Sequence, residues 1–382
     1  MSGQLPQVSY LSVDPLASTV GSSQVLAYVF RLAERGVVLD LHSFEREPDA
    51  ALLRRLSAAG VRWTAHPFGG PGARGGAGRV ARLARAIRGA ALVHARSDMA
   101  AAAVMSSIAL SRSDLRWLWD VRSLWADQKV ATGVFGERSP QARAFRQIER
   151  AAARRCHRSV TLTTSAIDEL DRRHGSGFGT KATVITTCVD RRRFAPEPPP
   201  PRDRVRILLA GTLNRYYDVD LMLRLVEELG RRDEVDFVVA APGETEWDGA
   251  FRRIGATRLA ASAEEMPDLV ASCHVGLSVC RDDAGPSLLA AMPTKIGEFL
   301  ATGRPVVVNP GLVDAARLVS DAGAGVVVGP SDDLSVAADQ VLEVVDDPRA
   351  AKRAAKLAYE HFDLDRGVDH LVRIYRELAD LG

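Results

Sequence analysis

Aromatic residues make up only 6% of the 382 positions, and just four positions are cysteine: Cys156, Cys188, Cys273 and Cys280. None of the four forms a C-x-x-C pair, which argues against a zinc site or a disulfide framework and leaves buried, reduced thiols. No run of uncharged apolar residues is long enough to cross a bilayer. The segment Met1 to Val13 lacks the basic start and apolar centre of a signal peptide. A cytoplasmic protein is the expectation. The basic segments lack interleaved aromatics, so nucleic acid is not an expected partner. A G-x-G-x-x-G fingerprint is missing, and with it the support for a dinucleotide site. No Ser/His/Asp order or Cys/His pair stands out as a hydrolytic triad. Asp218-Val219-Asp220 and Asp363-Leu364-Asp365 are acidic pairs of a kind that can bind metal. Both stand at expected helix starts, where Asp is favoured as a cap, so no metal site is expected.

What is present fits a globular chain of 46% hydrophobic and 26% charged residues, too long for one ordinary core. Net charge is only +2, but residues 1–190 carry +10 and residues 191–382 carry −8. A basic first half suggests contact with something anionic, a phosphorylated acceptor or the inner face of a membrane, with a merely Arg-rich surface as the alternative. Arg79, Arg82, Arg85 and Arg88 form one stripe on an expected helix 79–88, read mainly as a solvated face. The glycines from Gly69 to Gly78 read as a flexible loop before it.

Short apolar runs alternate with helix-period segments twice along the chain. This predicts an α/β protein with two doubly wound, Rossmann-like parallel sheets and a cleft between them. The expected domains are 1–195 and 203–362, joined by the proline-rich linker 196–202, with a C-terminal helix at 363–382 packing back on the first domain. Gly21 lies in the turn before the first helix, which Ser22 or Ser23 is expected to cap. The clusters His94-Ala95-Arg96-Ser97 and Asp120-Val121-Arg122, with Trp125 and Asp127, follow strand ends, where such sheets place ligands. Asp120 and Arg122 could equally be an internal ion pair, and His94 a structural histidine. Pro293-Thr294-Lys295-Ile296-Gly297-Glu298 starts a helix whose free amides and dipole suit a diphosphate. Thr294 and Glu298 share one face, a hydroxyl at the first turn and a carboxylate one turn deeper, which suits a ribose diol after the diphosphate.

Together these segments resemble the retaining glycosyltransferases of the GT-B fold, family four (glycosyl transferases group 1). Within that family the chain is similar to members with a P-T-K-x-x-E-[YF]-L-A-x-G-x-P-V core, here Pro293 to Val306. Gly21-Ser22-Ser23-Gln24 resembles the family's glycine loop, His94-Ala95-Arg96 its H-x-[HR] strand end, and Asp120 to Asp127 its D-x-R-x-x-W-A-D loop. Gly211-Thr212-Leu213 resembles the segment after the first donor-domain strand. The resemblance implies a metal-independent transfer from a nucleotide-diphosphate sugar (UDP, GDP or dTDP) to a small secondary metabolite or a lipid or polysaccharide intermediate. Glu298 would hold the ribose, and Thr294, Lys295 and nearby amides, with Pro293, Gly211 and Thr212, the diphosphate. Gly21 and Ser22 would approach the leaving phosphate. His94, Asp120, Arg122, Lys295 and Arg215 are the expected catalytic residues, with Gln24, Arg96, Trp125 and Asp127 on the acceptor side.

The chain departs from the pattern in three places. Ala290 stands where many members carry a first Glu that touches the donor sugar. Thr212 and Tyr217 occupy the usual Arg and Lys positions of the diphosphate clamp, so Arg215, Arg281 and Lys295 are expected to share that charge. Ser123 and Gln128 replace a common Gly and Glu, which points to unusual acceptor choice. A nucleotide-sugar epimerase or phosphorylase of the same fold, and a silent partner subunit, are the alternatives.

Overall fold

The computed structural model describes residues 6–70, 72–111, 114–175 and 177–380. Contacts divide the chain into two units. One takes in the chain to Val130, Phe135–Ile185 and the stretch from Leu364, the other Ala131–Val134 and Thr186–Asp363.

The first unit has seven parallel strands: β1 (Gln7–Leu11), β2 (Val38–Glu45), β3 (Arg62–Pro67), β4 (Leu92–Arg96), β5 (Arg116–Val121), β6 (Arg158–Thr161) and β7 (Ala182–Val184). Their order is β3-β2-β1-β4-β5-β6-β7. The chain reverses its direction of sheet growth between β1 and β4, so their C-terminal ends leave the crevice where doubly wound sheets take ligands. β5 shows why the sheet forms: Trp117 and Trp119 fill one face and Leu118 the other, all fully buried. Helix Leu364–Asp380 belongs to this unit; its buried Val368, Leu371, Val372 and Tyr375 recur at helical spacing.

The second unit repeats the plan with β8 (Val205–Ala210), β9 (Val235–Ala240), β10 (Thr257–Leu259), β11 (Val275–Ser278), β12 (Val306–Val308) and β13 (Gly325–Val327). The order is β10-β9-β8-β11-β12-β13, all parallel, with the switch between β8 and β11. Ile207, Leu209, Met222, Leu225, Phe237, Val239 and Leu277 belong to one core. Helix Thr294–Ala301 seats itself through missing side chains. A Cβ on Gly276 would fall 2.3 Å from the Phe299 ring, and one on Gly297 would fall 2.8 Å from Val189 and 2.9 Å from Phe362. Gly303, at φ 79°, takes the left-handed turn after this helix.

Several local expectations change. The first helix begins at Thr19, not after Ser22 or Ser23: Ser18 caps it, its hydroxyl accepting from the Gly21 amide at 3.0 Å. The glycine-rich stretch is helical from Gly72 to Ala86, because it packs on helix Asp98–Ser111 and that contact outweighs weak propensity. Pro71, inside the expected loop, lies outside the described residues, as do the last two positions of the expected C-terminal helix. Helix Asp248–Arg253 and strand β10 were too short for periodicity to reveal. The proline-rich segment runs along the second unit. Arg304, 1% exposed, donates to the Glu197 carbonyl at 3.1 Å and the Pro198 carbonyl at 2.7 Å.

Candidate active site

In the second unit the switch-point loops are stitched together. Tyr217 forms an antiparallel bridge with Cys280. The Asp218 amide donates to the Val279 carbonyl at 3.1 Å, and the Arg281 amide to the Tyr216 carbonyl at 3.0 Å. Gly211, at φ 95°, turns the chain at the end of β8, in a region that favours glycine. A Cβ there would meet Cε and Nζ of Lys295 at 3.7 Å, so the lysine reaches from its helix to the crevice.

Lys295 is 8% exposed, and its Nζ is buried with no hydrogen-bond partner among the described residues. It lies 4.0 Å from the centre of the Tyr217 ring, whose π face is the amine's main compensation. Burial pulls its pKa down to about 8, against the opposing pull of Cys280 and Glu298. Glu298, one turn on, keeps part of its surface in solvent. Burial pushes its carboxyl up to about 7, with Lys295 and Arg193 acting the other way. Pro293 occupies the N-cap and makes no side-chain cap bond; the Ile296 amide donates to the Pro293 carbonyl at 3.0 Å, which leaves the Thr294 and Lys295 amides for another acceptor. An ammonium without a hydrogen-bond partner among the described residues, these two amides and a carboxylate one turn deeper are what an anion with a neighbouring diol would satisfy.

The first unit gathers a different set. His94 is 1% exposed and stacks on Tyr10, with ring centroids 4.2 Å apart. Its Nδ1 lies 2.6 Å from the Tyr375 hydroxyl and its Nε2 3.2 Å from Asp120 Oδ2. Arg122 donates to Asp120 Oδ1 at 3.3 Å and to Gln24 Oε1 at 3.1 Å. Burial pushes the Asp120 carboxyl up, but Arg122 and His94 outweigh it and hold the group below the usual carboxylate range. Burial also lowers the His94 pKa, with the Asp120 contact opposing. Gln24, Tyr28, Val160, Ile185 and Leu371 help line a cavity of about 10 Å³, at the lower limit for one water molecule. Gln24 sits in a π-helical turn, Ser22–Leu26, a distortion common at functional positions.

The structure thus brings together Gln24, His94, Asp120 and Arg122 in one unit, and Gly211, Lys295 and Glu298 in the other, with Thr294 and Pro293 on the same helix. Other expected residues are engaged elsewhere. Arg96 pairs with Asp14. Trp125 packs on Phe145, with centroids 4.0 Å apart. Asp127 pairs with Arg146 at 3.1 Å and Arg173 at 2.6 Å. Arg215 is 71% exposed and 3.8 Å from Glu246, and Arg281 is bound through Nε to Asp283 at 2.9 Å. Neither shares the Lys295 cluster, because both side chains find carboxylates at the surface. Thr212 is exposed and Ala290 buried. Gly21 serves packing: a Cβ there would fall 2.0 Å from the Pro15 carbonyl. The Ser22 hydroxyl donates to the Thr19 carbonyl at 3.1 Å. Asp218 caps its helix, accepting from Leu221 at 2.9 Å, and Asp363 pairs with Arg191 at 3.1 Å. Among the described residues no cluster of three metal-binding side chains occurs, and no helix is long and apolar enough to cross a membrane.

Sequence reasoning missed Tyr10, Tyr28 and Tyr375 around His94, and Tyr217 as the seat of Lys295. Strand and helix periodicity marks the first three only as core positions.

Residues 22–193 match the model of Glycosyltransferase Family 4, and residues 204–347 that of Glycosyl transferases group 1. No curated protein matches the chain by sequence. Sucrose-phosphate synthase from Thermosynechococcus elongatus is similar in structure, with a TM-score of 0.74 at 15% identity over 99% of this chain and 100% of that one. Anabaena HepE in complex with UDP gives 0.71 at 13% identity over 97% and 100%. A glycosyltransferase from Rickettsia africae gives 0.66 at 13% identity over 98% and 99%. At such identities the likeness concerns the fold, two doubly wound parallel sheets of the GT-B kind. Together the two consecutive domain models account for most of the chain, and they make it a glycosyltransferase, with a family 4 domain followed by a group 1 domain.

Proposed function

We propose that the protein is a retaining glycosyltransferase that moves a sugar from a nucleoside diphosphate to an acceptor without a metal ion. The observation that carries this is Lys295: a buried ammonium with no hydrogen-bond partner among the described residues, at the switch point of the second sheet. Such a group costs stability unless an anion arrives to meet it. A diphosphate would be held by Lys295, Thr294 and the amides of these two residues, with the Gly211 backbone alongside. Glu298 would accept hydrogen bonds from the ribose hydroxyls. HepE was solved with UDP, which makes UDP the first nucleotide to try.

In a retaining transfer the acceptor oxygen bonds to the anomeric carbon on the face from which the diphosphate leaves. The carbon–oxygen bond to the diphosphate breaks, and the acceptor's proton passes to the departing phosphate oxygen. A protein nucleophile is then unnecessary. The ionised Asp120 is poorly suited to be one, because His94 and Arg122 occupy both of its oxygens. Its place, with Arg122 and Gln24, is on the sugar and acceptor side. Lys295 stabilises charge on the leaving group, the part of the reaction where fixed electrostatics contributes most. The acidic pairs at 218 and 363 are engaged by a helix amide and by Arg191, in keeping with metal-free chemistry. The acceptor is a small secondary metabolite or a lipid or polysaccharide intermediate.

Calorimetry with UDP, GDP, dTDP and ADP tests the donor site. One of these is expected to bind, with at least tenfold weaker binding after Lys295→Met or Glu298→Gln. Absence of binding by all four would remove the proposal. The anomeric configuration of a transferred sugar, read by NMR, tests retention.

A further inference from the structure

The deepest contact of the first unit's polar cluster comes from the far end of the sequence. Tyr375, on helix Leu364–Asp380, is fully buried, and its hydroxyl lies 2.6 Å from His94 Nδ1. Asp120 lies 3.2 Å from the other ring nitrogen. An ionised carboxylate only accepts, so Nε2 must carry the ring proton. In a neutral imidazole Nδ1 is then an acceptor, and Tyr375 must be the donor. Burial opposes a charged ring, and the same burial raises the phenol well above its ordinary range, so the hydroxyl keeps its proton. The chain of donors runs from Tyr375 to His94, from His94 to Asp120, and from Arg122 to both Asp120 and Gln24.

We infer that Tyr375 is a positioning residue of the transferase. Asp120 sets the Nε2–H tautomer of His94; Tyr375 supplies the donor for Nδ1 and so holds the ring, Asp120 and, through it, Arg122 in place. His94 then acts within the protein: with both nitrogens used and 1% of its surface exposed, it presents nothing to a ligand in this state. The groups facing the ring are Tyr10 from β1, Asp120 and Arg122 from β5 and its following turn, Arg96 from its own strand, and Tyr375 from the last helix. Tyr375 touches none of the reacting atoms under this assignment. The inference rests on the proposed role of Asp120 and Arg122, but its first readout does not require turnover.

The test is nitrogen NMR of the ¹⁵N-histidine-labelled full chain, with the His94 signals assigned by loss in His94→Gln. In the unsubstituted protein the ring should be the single Nε2–H tautomer, with an Nδ1 signal shifted by an accepted hydrogen bond, and should titrate below a free imidazole. A proton on Nδ1, or an Nδ1 signal without that hydrogen-bond shift, would overturn the inference, whatever the fate of any variant. Tyr375→Phe should keep the tautomer but move the Nδ1 signal to that of a nitrogen without a donor. Its kcat should fall roughly tenfold or more with KM for the donor within about twofold, because misplacement acts on the transition state. UDP affinity should be unchanged. A variant that keeps full kcat would refute the positioning role. If no acceptor supports turnover, the Nδ1 signal still decides the inference. Absence of binding of UDP, GDP, dTDP and ADP alike by the unsubstituted protein would strike the proposed function and leave the NMR test standing.

Discussion

Replacing Lys295 with methionine should stabilise the fold while damaging the proposed donor site. Methionine has similar length and no charge to desolvate. The fall of the lysine pKa from 10.5 to about 8 corresponds to a cost of about 3 kcal/mol for burying the ammonium. The stacked contact with Tyr217 returns roughly 1 kcal/mol, which the variant loses. The expected net gain at pH 7 is about 2 kcal/mol, or a rise in Tm of roughly 4–8 °C for a unit of this size. The sign can be checked with pH. The group's folded value is depressed, so the penalty is full below about pH 8 and disappears as pH rises from about 8 towards 10.5. The unsubstituted protein should therefore gain on the variant over that interval. Thermal melts at pH 7 and pH 10, paired with UDP calorimetry, measure both effects. A lower Tm at pH 7, or UDP affinity within twofold of the original, would refute the reasoning.

Donor affinity itself should peak between about pH 7 and pH 8, because Glu298 takes up a proton below the first value and Lys295 loses one above the second; Glu298→Gln should flatten the acid limb in a calorimetric titration. Binding UDP at pH 8 should draw a proton onto Lys295, visible as a dependence of the heat on buffer ionisation enthalpy. Gly276→Ala should cost about 2–3 kcal/mol in urea unfolding, because the new methyl needs the space of the Phe299 ring, and should weaken UDP binding by shifting the helix that carries Lys295. Asp127→Asn should cost only about 1–2 kcal/mol, because Arg173 keeps Glu149 and Glu169 when the carboxylate it shares with Arg146 is lost, and should leave UDP affinity intact.

Both sheets were legible because parallel strands buried on two faces leave near-continuous apolar runs, as in Val205–Ala210 and Val235–Ala240. The helix from Thr294 was legible through its cap position and glycine stop. Partner choice was not. Asp127 stands in the first turn of helix Trp125–Ala131, just after a strand end, which marks the neighbourhood of a ligand but not the direction of a side chain. Its partners come from 19 and 46 residues away. Arg215 and Arg281 were grouped with Lys295 by charge alone, yet Glu246 and Asp283 are nearer uses for them. Tyr217 shows the opposite error. Counted as a lost cation, it supplies the ring on which the cation from another element rests. Tyr375 stood too far along the chain for any local pattern to join it to His94.

The seating of helix Thr294–Ala301 has a consequence for how this enzyme can diversify. Phe299 and Gly297 wedge the helix at opposite points against Gly276, Val189 and Phe362. A wedged rod neither slides nor turns, so under the proposed function the amine it carries would work as a fixed gauge for the phosphates. New donor preferences would then have to arise outside this helix, while any larger side chain at 276 or 297 would miscalibrate the gauge from within the core.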